Sequence, residues 1–503
     1  MNRANRPRLS RISGSSYATK LLGRAGDGST LSLDFTTGVL DPRLTFSRDG
    51  GGTYIGNDGR VYGVDFATSS SLAIGTGSKS VTLTATAGVD RRYLVGQTVW
   101  ISNGANNMRG PVTAYDASTQ VLTIDATATS GSGSFTSWTV GNASARFDYD
   151  PTTGSPRGLL IEGQAQNLLT RSQALATSPW SAGNGSGGTL PTVDNDNDTA
   201  PDGTQTATRV QLNITGGGFS RVQQLVTGTI GVSYTFSVWM KLKSGSTPVT
   251  VAIRVGSDGN STNTNKTVTS SWQRFQTTYT LAAAPADAQV MLWTSLSTST
   301  TADVLVWGAQ LEAGSGASSY IPTGASQGTR NADECSMTGT NFSSWFTNPN
   351  EGSFLVRYSM NYPGASMGAG VDRYAFEISN SGGSSRALCI AAYRNAPAGR
   401  NVRVFNPSGT SFDSGDTLTT SAALNTKFAF GYATADNYIA AVGVAQAFQT
   451  YNTGSLPTSP AINQMHLGAS RTFGSVTYLQ GCISLLKYWP TRLPNATLQG
   501  LVS

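Results

Sequence analysis

What most constrains this chain is the length and period of its apolar segments. They are short, they alternate apolar with polar side chains or run apolar for a few residues, and each is closed by Gly, Asn, Asp or Ser. QTVWIS, QVLTIDA, YTFSVWMKL, VTVAIRV and KFAFGYAT are examples. A period of two puts successive side chains on opposite faces of a strand, and Gly and Asn accept the positive φ of tight hairpin turns. The helical alternative lacks material. Runs of Ala, Leu, Glu and Lys at helical spacing are missing, and glutamate is confined to Glu162, Glu312, Glu334, Glu351 and Glu377. An all-β chain follows, with 58 glycines and only 12% charged residues to suit many short strands and turns.

A length of 503 residues exceeds what one core usually closes. Turn clusters and shifts in strand style divide it into an N-terminal segment (1–65), a small β insert module (66–142), a connector rich in Pro and Gly (143–166), a β-sandwich (167–325) and a second β-sandwich (326–503). Pro494 or Asn495 is placed to start one short closing helix. Much of the net charge of +6 sits on Arg3, Arg6, Arg8, Arg11, Lys20 and Arg24. Such an arm suits docking onto a partner protein, or a disordered tail, better than nucleic acid. No apolar run is long enough for a secretion signal or a membrane span, so synthesis in the bacterial cytoplasm without a signal peptide and no membrane insertion are expected. Cys335, Cys389 and Cys482 form no CxxC pair and read as buried free thiols.

The stretch DFTTGVLDPRLTFSRDGGGTYIGNDGRV, then ARFDYDPTTGSPRGLLIEGQAQNLLTRSQ and APDGTQTATRV, resembles a phage structural family that includes head-spike and tail-fibre proteins, or their gene-transfer-particle relatives. The match is carried by Arg146, Phe147, Asp148, Tyr149, Gly158, Leu159, Leu160, Ile161, Glu162, Asn167, Leu168 and Leu169. The resemblance implies that residues 167–325 form a carbohydrate-binding-like jelly-roll, with GAQLEAGSGASSYIPT as its exit. It implies that 326–503, ending in ISLLKYWPTRLPNATLQGL, form a concanavalin A/laminin-G-like sandwich. It also implies virion assembly and glycan adhesion, and carries over no catalytic residue.

Candidate sugar contacts are aromatic and polar residues on strand faces and ends: Trp239, Trp293, Arg373, Tyr374, Tyr393, Arg394 and Tyr438. Alternation places Tyr234, Phe236, Val238 and Met240 on one strand face and Trp239 on the other, where it stacks on a sugar, fills an inter-subunit contact or lies under a loop. The resemblance implies that Trp272 and Trp307 are packing residues. The run with Asp194, Asp196, Asp198 and then Asp202 has the alternate oxygens of a structural calcium loop, or is a solvated acidic turn. His466 is the single histidine and lacks any nucleophile-elbow motif, so it reads as structural.

The expectation is a non-enzymatic virion-surface spike or fibre. It is anchored to a capsid or tail protein through its N-terminal segment, and it is a homotrimer binding bacterial capsular polysaccharide or lipopolysaccharide through several weak sites. A depolymerase fibre working through paired carboxylates, and a purely structural collar or decoration protein, are the alternatives.

Overall fold

The computed structural model describes residues 27–502 apart from 49–51, 64, 69, 84–92, 94, 97, 104–105, 117, 143–144, 186, 215–217, 258, 284–286, 294–299, 362–371, 381–385, 397–398, 406–410, 414–425, 434–437, 442–461 and 472–476. Among the described residues helix is limited to the 3-10 turn Phe35–Thr37 and the short helices Gly339–Ser343 and Asn495–Val502. The rest of the regular structure is strand, and the chain is all-β.

Two sheets enclose the largest core. One runs Arg146–Tyr149, Pro156–Ile161, Gly481–Trp489, Gly352–Met360, Thr426–Tyr432, Tyr438–Ala441, with Leu31–Asp34 also paired to Gly481–Trp489. The other runs Thr45–Ser47, Glu334–Thr338, Gln464–Leu467, Asp372–Ser379, Arg386–Ala396, Gly399–Phe405, Ser411–Asp413. Leu33, Leu159, Ile161, Phe354, Phe376, Phe430, Met465 and Tyr488 meet between them, as alternation along half-buried strands requires. The C-terminal sandwich is therefore built from three separated parts of the sequence. The segment expected as a connector, 143–166, contributes a strand hairpin to the first sheet, and strands expected in the N-terminal segment pair with both sheets. Gly158 permits the close approach: its φ is +110°, and a Cβ there would lie 2.2 Å from the Ile483 carbonyl oxygen.

The other two modules are insertions whose ends return side by side. Asp65–Thr68 pairs antiparallel with Trp138–Asn142 at the base of the small insert module, whose sheet closes on Val99, Ile101, Leu122, Ile124 and Val140. Ala165–Asn167 pairs with Gly328–Arg330 at the base of the jelly-roll, which is two five-stranded sheets around Val210, Phe236, Val238, Ile253, Leu292 and Val304.

At the jelly-roll's neck lies a buried ionic cluster. Arg146 and Arg330 each reach Glu162 Oε2, at 2.9 and 2.8 Å, while Arg48 and Arg146 both pair with Asp333. Glu162 also accepts from Ser319 N and Oγ at 2.7 Å and from Asn361 at 3.0 Å. Burial alone would raise the Glu162 pKa, but Arg330, Arg146 and the Ser319 donors outweigh it and hold it down at about 2. Asn167 uses its whole amide: Nδ2 donates to the Ala309 and Ile321 carbonyls, and Oδ1 accepts from the Leu169 and Leu311 amides. These bonds tie Arg146, Glu162 and Asn167 to Ser319, Ile321, Arg330 and Asp333 at the base of the jelly-roll.

Candidate functional site

A jelly-roll offers two outward sheet faces for contact, and here one is already occupied. The back sheet is Thr192–Asp198, Ala207–Ile214, Thr300–Ala313, Ser233–Leu242, Gln273–Thr280. Its outer face packs Trp239, Leu305, Trp307 and Tyr320 against Val61 and Ile55 of the hairpin Thr53–Ile55/Val61–Gly63. Val61 N donates to the Pro201 carbonyl, and Thr53 Oγ1 to that of Tyr320.

Trp239 is therefore a packing residue, 7% exposed. Its ring stands edge-on to Trp307 at 5.3 Å and to Tyr320 at 5.6 Å, with the Arg274 guanidinium 4.3 Å above it. Alternation assigned its face correctly, since Tyr234, Phe236, Val238 and Met240 line the core. That face is covered, which leaves Trp239 no room to stack on a sugar. Trp307 is buried with its Nε1 donating to Thr206, and Trp272 packs at the edge of the same cluster.

The front sheet is Ser181–Asn184, Ser220–Gln224, Val290–Trp293, Val249–Ser257, Asn260–Val268. Val222, Val251, Ile253, Val255, Val290 and Leu292 point into the core, so their neighbours point out. Register sets those outward residues in rows. Gly183, Arg221, Trp293, Ala252 and Asn265 follow one another across the five strands, and Ser181, Gln223, Met291, Arg254 and Asn263 form the next row. Met291 and Ala252 are a buried floor, Arg221, Gln223 and Trp293 stand half-buried around it, and Asn263 and Asn265 are exposed at the edge strand. Three atoms of this face, Arg221 Nε, Gln223 Oε1 and Trp293 Nε1, are buried without a hydrogen-bond partner among the described residues. Such groups cost stability unless something else completes them. The half-exposed remainder of these side chains, a guanidinium and an amide beside a flat aromatic ring, is chemistry that suits a sugar, whose hydroxyls both donate and accept and whose C–H face stacks.

Trp293 is thus the one aromatic among the expected sugar contacts that lies on this sheet. Arg221, Gln223 and Phe219 were missed because SRVQQ is too polar to stand out as a strand, although its burial alternates with period two. In the C-terminal sandwich Tyr374 is buried at 3% exposure, and Arg373 is half-buried and donates to the Tyr478 carbonyl, so neither offers a free sugar-facing side chain. Tyr393, Arg394 and Tyr438 fall on strands, and their side chains lie outside the described residues.

The acidic run is corrected. Thr192–Asp198 is a strand with an irregularity in its pairing between Asp194 and Asp198, where Asp196 takes φ +54°. Asp198 pairs with Lys243 at 3.2 Å, and Asp202 accepts from Thr204 N and Oγ1. Among the described residues no three acidic, His or Cys side chains come together, so Asp194, Asp196, Asp198 and Asp202 make no calcium loop. His466 is cross-strand from Glu377 and Ser336; burial, then Arg471, holds its pKa below the ordinary value. Burial also pushes the Cys335 and Cys482 thiols up.

Residues 173–300, which include most of both jelly-roll sheets, match the family model described as a carbohydrate binding domain. Similar solved structures include the enzymatically active domain of tailspike protein 4 from bacteriophage CBA120, at 17% identity over 29% of this chain and 21% of that one, TM-score 0.23. Others are a family 11 carbohydrate-binding module from Clostridium thermocellum in complex with a mixed-linked tetrasaccharide (10%, covering 32% and 98%, TM-score 0.22) and domain 4 of the arabinanase AbnA from Geobacillus stearothermophilus in complex with arabinotriose (12%, covering 37% and 82%, TM-score 0.26). No curated protein matches the chain.

Proposed function

We propose that this protein is a non-enzymatic spike or fibre component of a bacteriophage-type particle that attaches it to bacterial capsular polysaccharide or lipopolysaccharide. Attachment is through the front sheet of the jelly-roll. The observation that carries the reading is the coincidence of the carbohydrate binding domain match with a sheet whose outer face presents Trp293, Arg221 and Gln223 with unmet polar atoms. The resemblance of the sequence around Arg146–Leu169 to phage structural proteins supports the setting. In this reading the basic N-terminal segment binds a capsid or tail protein, and three copies act together so that weak single sites give firm adhesion.

The test is binding of the full-length protein to encapsulated cells and to their extracted polysaccharide, with polymer length followed over time. Saturable binding at constant polymer length, reduced tenfold or more by Trp293→Ala, is the expected result. Shortened polymer would make the protein a depolymerase. No binding to cells or polymer would leave a collar or decoration role.

A further inference from the structure

We infer that the front face selects an acidic saccharide, one carrying an anionic group on its ring, and that Arg221 makes the selection. The inference rests on the reading of this face as a glycan platform. Arg221 is held in place before any ligand arrives. Gly183 beneath it has no side chain, and a Cβ there would lie 3.3 Å from Arg221 Nε; the Phe219 ring lies 4.5 Å from the guanidinium carbon. The bare Gly183 leaves the space that the Arg221 side chain occupies, and the Phe219 contact restricts its rotamers, which lowers the entropy lost on binding.

Among the described residues no carboxylate takes up the charge of Arg221. Arg48, Arg146, Arg157, Arg209, Arg330 and Arg471 each pair with a carboxylate, whereas Arg221 pairs with none among the described residues. The five strands also place no carboxylate on this face, and Arg254 in the next row is buried with its Nε donating to the Gly256 carbonyl. A half-buried guanidinium with no acid paired to it among the described residues, screened less than a surface lysine, favours an anion over a neutral hydroxyl and matches it with a planar fork.

Register supplies the geometry. Arg221 and Trp293 are direct cross-strand partners, so their Cβ atoms stand about 5 Å apart. A pyranose ring stacked on Trp293 places a ring carboxylate or ester within reach of Arg221, while Gln223 in the next row accepts from a hydroxyl. Ala252, the cross-strand partner on the other side of Trp293, is small and buried, and forms the floor beside the ring.

The experiment uses the full-length protein and calorimetry on oligogalacturonate, oligomannuronate and hyaluronan fragments, each against its carboxyl-reduced form, and on a sulfated galactan fragment against its desulfated form. At least one acidic member should bind tenfold or more tighter than its neutral counterpart. The pair that shows the difference tells carboxylate from sulfate ester. Arg221→Gln should bring that ratio close to one with neutral-form binding retained, Arg221→Lys should restore part of it, and Trp293→Ala should weaken both forms. Neutral forms binding as well as acidic ones, or an acid preference that survives Arg221→Gln, would overturn the inference and leave the platform reading intact. Cell binding that depends on Trp293 with no acidic member bound would do the same. Cell binding indifferent to Trp293→Ala would remove the platform reading and the inference with it.

Discussion

Trp239 and Trp293 sit in one jelly-roll on opposite sheets, and their neighbours give them opposite roles. Trp239 fills a closed aromatic cluster with Trp307 and Tyr320. Trp293 is half-buried on the front sheet with its indole N–H unpartnered among the described residues. Trp239→Ala should lower stability by about 3–5 kcal/mol, because a large buried ring leaves a cavity. Its effect on glycan affinity should be small once the protein is folded. Trp293→Ala should change the melting temperature little and weaken binding tenfold or more, about 1.4 kcal/mol. Thermal unfolding and calorimetry on the two variants would show the separation, and similar losses from both in either assay would contradict it. The sequence could place Trp239 on the non-core side of its strand by period alone. What covers that side is a hairpin more than a hundred residues upstream, and no local pattern carries that information.

Strands were legible where one face is buried and apolar, as in Ser233–Leu242 or Val249–Ser257. They were not where the segment is mostly polar: Ser220–Gln224 and the edge strand Asn260–Val268 do not stand out in the sequence, yet they supply Arg221, Gln223, Asn263 and Asn265 of the candidate site. The stretch Arg146–Asn167 was recognisable as a family-like motif, but its role was hidden because its partners Arg48, Ser319, Arg330 and Asp333 are distant in sequence. As a neck it is sensitive to charge. Glu162→Gln leaves Arg146 and Arg330 buried beside a neutral amide, and should destabilise by about 3–5 kcal/mol and speed proteolysis near 163–165 and 328–333. Normal melting and unchanged proteolysis would contradict this. The pH dependence has two opposed parts. Glu162, depressed from 4.5 to about 2, adds stability above pH 4.5 that is lost as pH falls towards 2. Asp148 is raised from 3.8 to about 6, chiefly by burial and against the pull of the Ile55 amide and Arg157. The unfolded chain therefore ionises it first, and stability falls as pH climbs from about 4 to 6, by up to about 3 kcal/mol. Asp148→Asn should remove that fall, so that its advantage in melting temperature over the native protein appears only above pH 4. An advantage that is constant with pH would refute the assignment.

At the scale of the whole molecule the order of the modules along the chain differs from their order in space, and this decides which fragments can fold. The jelly-roll leaves and re-enters through one antiparallel pair, Ala165–Asn167 with Gly328–Arg330, and owns both sheets of its core. Excised at residues 165–330 it should fold, unfold cooperatively and keep Trp293-dependent binding. Losing the hairpin at 53–63 uncovers Trp239 and Trp307, so its stability should be lower and its tendency to self-associate higher. Residues 331–503 look equally self-contained in the sequence, with their own run of strands and a closing helix. They nevertheless lack Leu31–Asp34, Arg146–Tyr149 and Pro156–Ile161 from one sheet and Thr45–Ser47 from the other. Leu33, Phe46, Leu159 and Ile161 would be missing from the core, and the flank of Gly481–Trp489 that pairs with two of those strands would be bare, a template for aggregation. That fragment should be insoluble or show no cooperative transition by calorimetry and circular dichroism. A single chain in which 27–63, 145–164 and 331–503 are joined by short linkers at the two insertion points should recover a cooperative transition, because both insertions return to neighbouring strands. A cooperatively folded 331–503, or an unfolded joined chain, would show that the sandwich does not depend on its N-terminal strands in the way its sheet order implies.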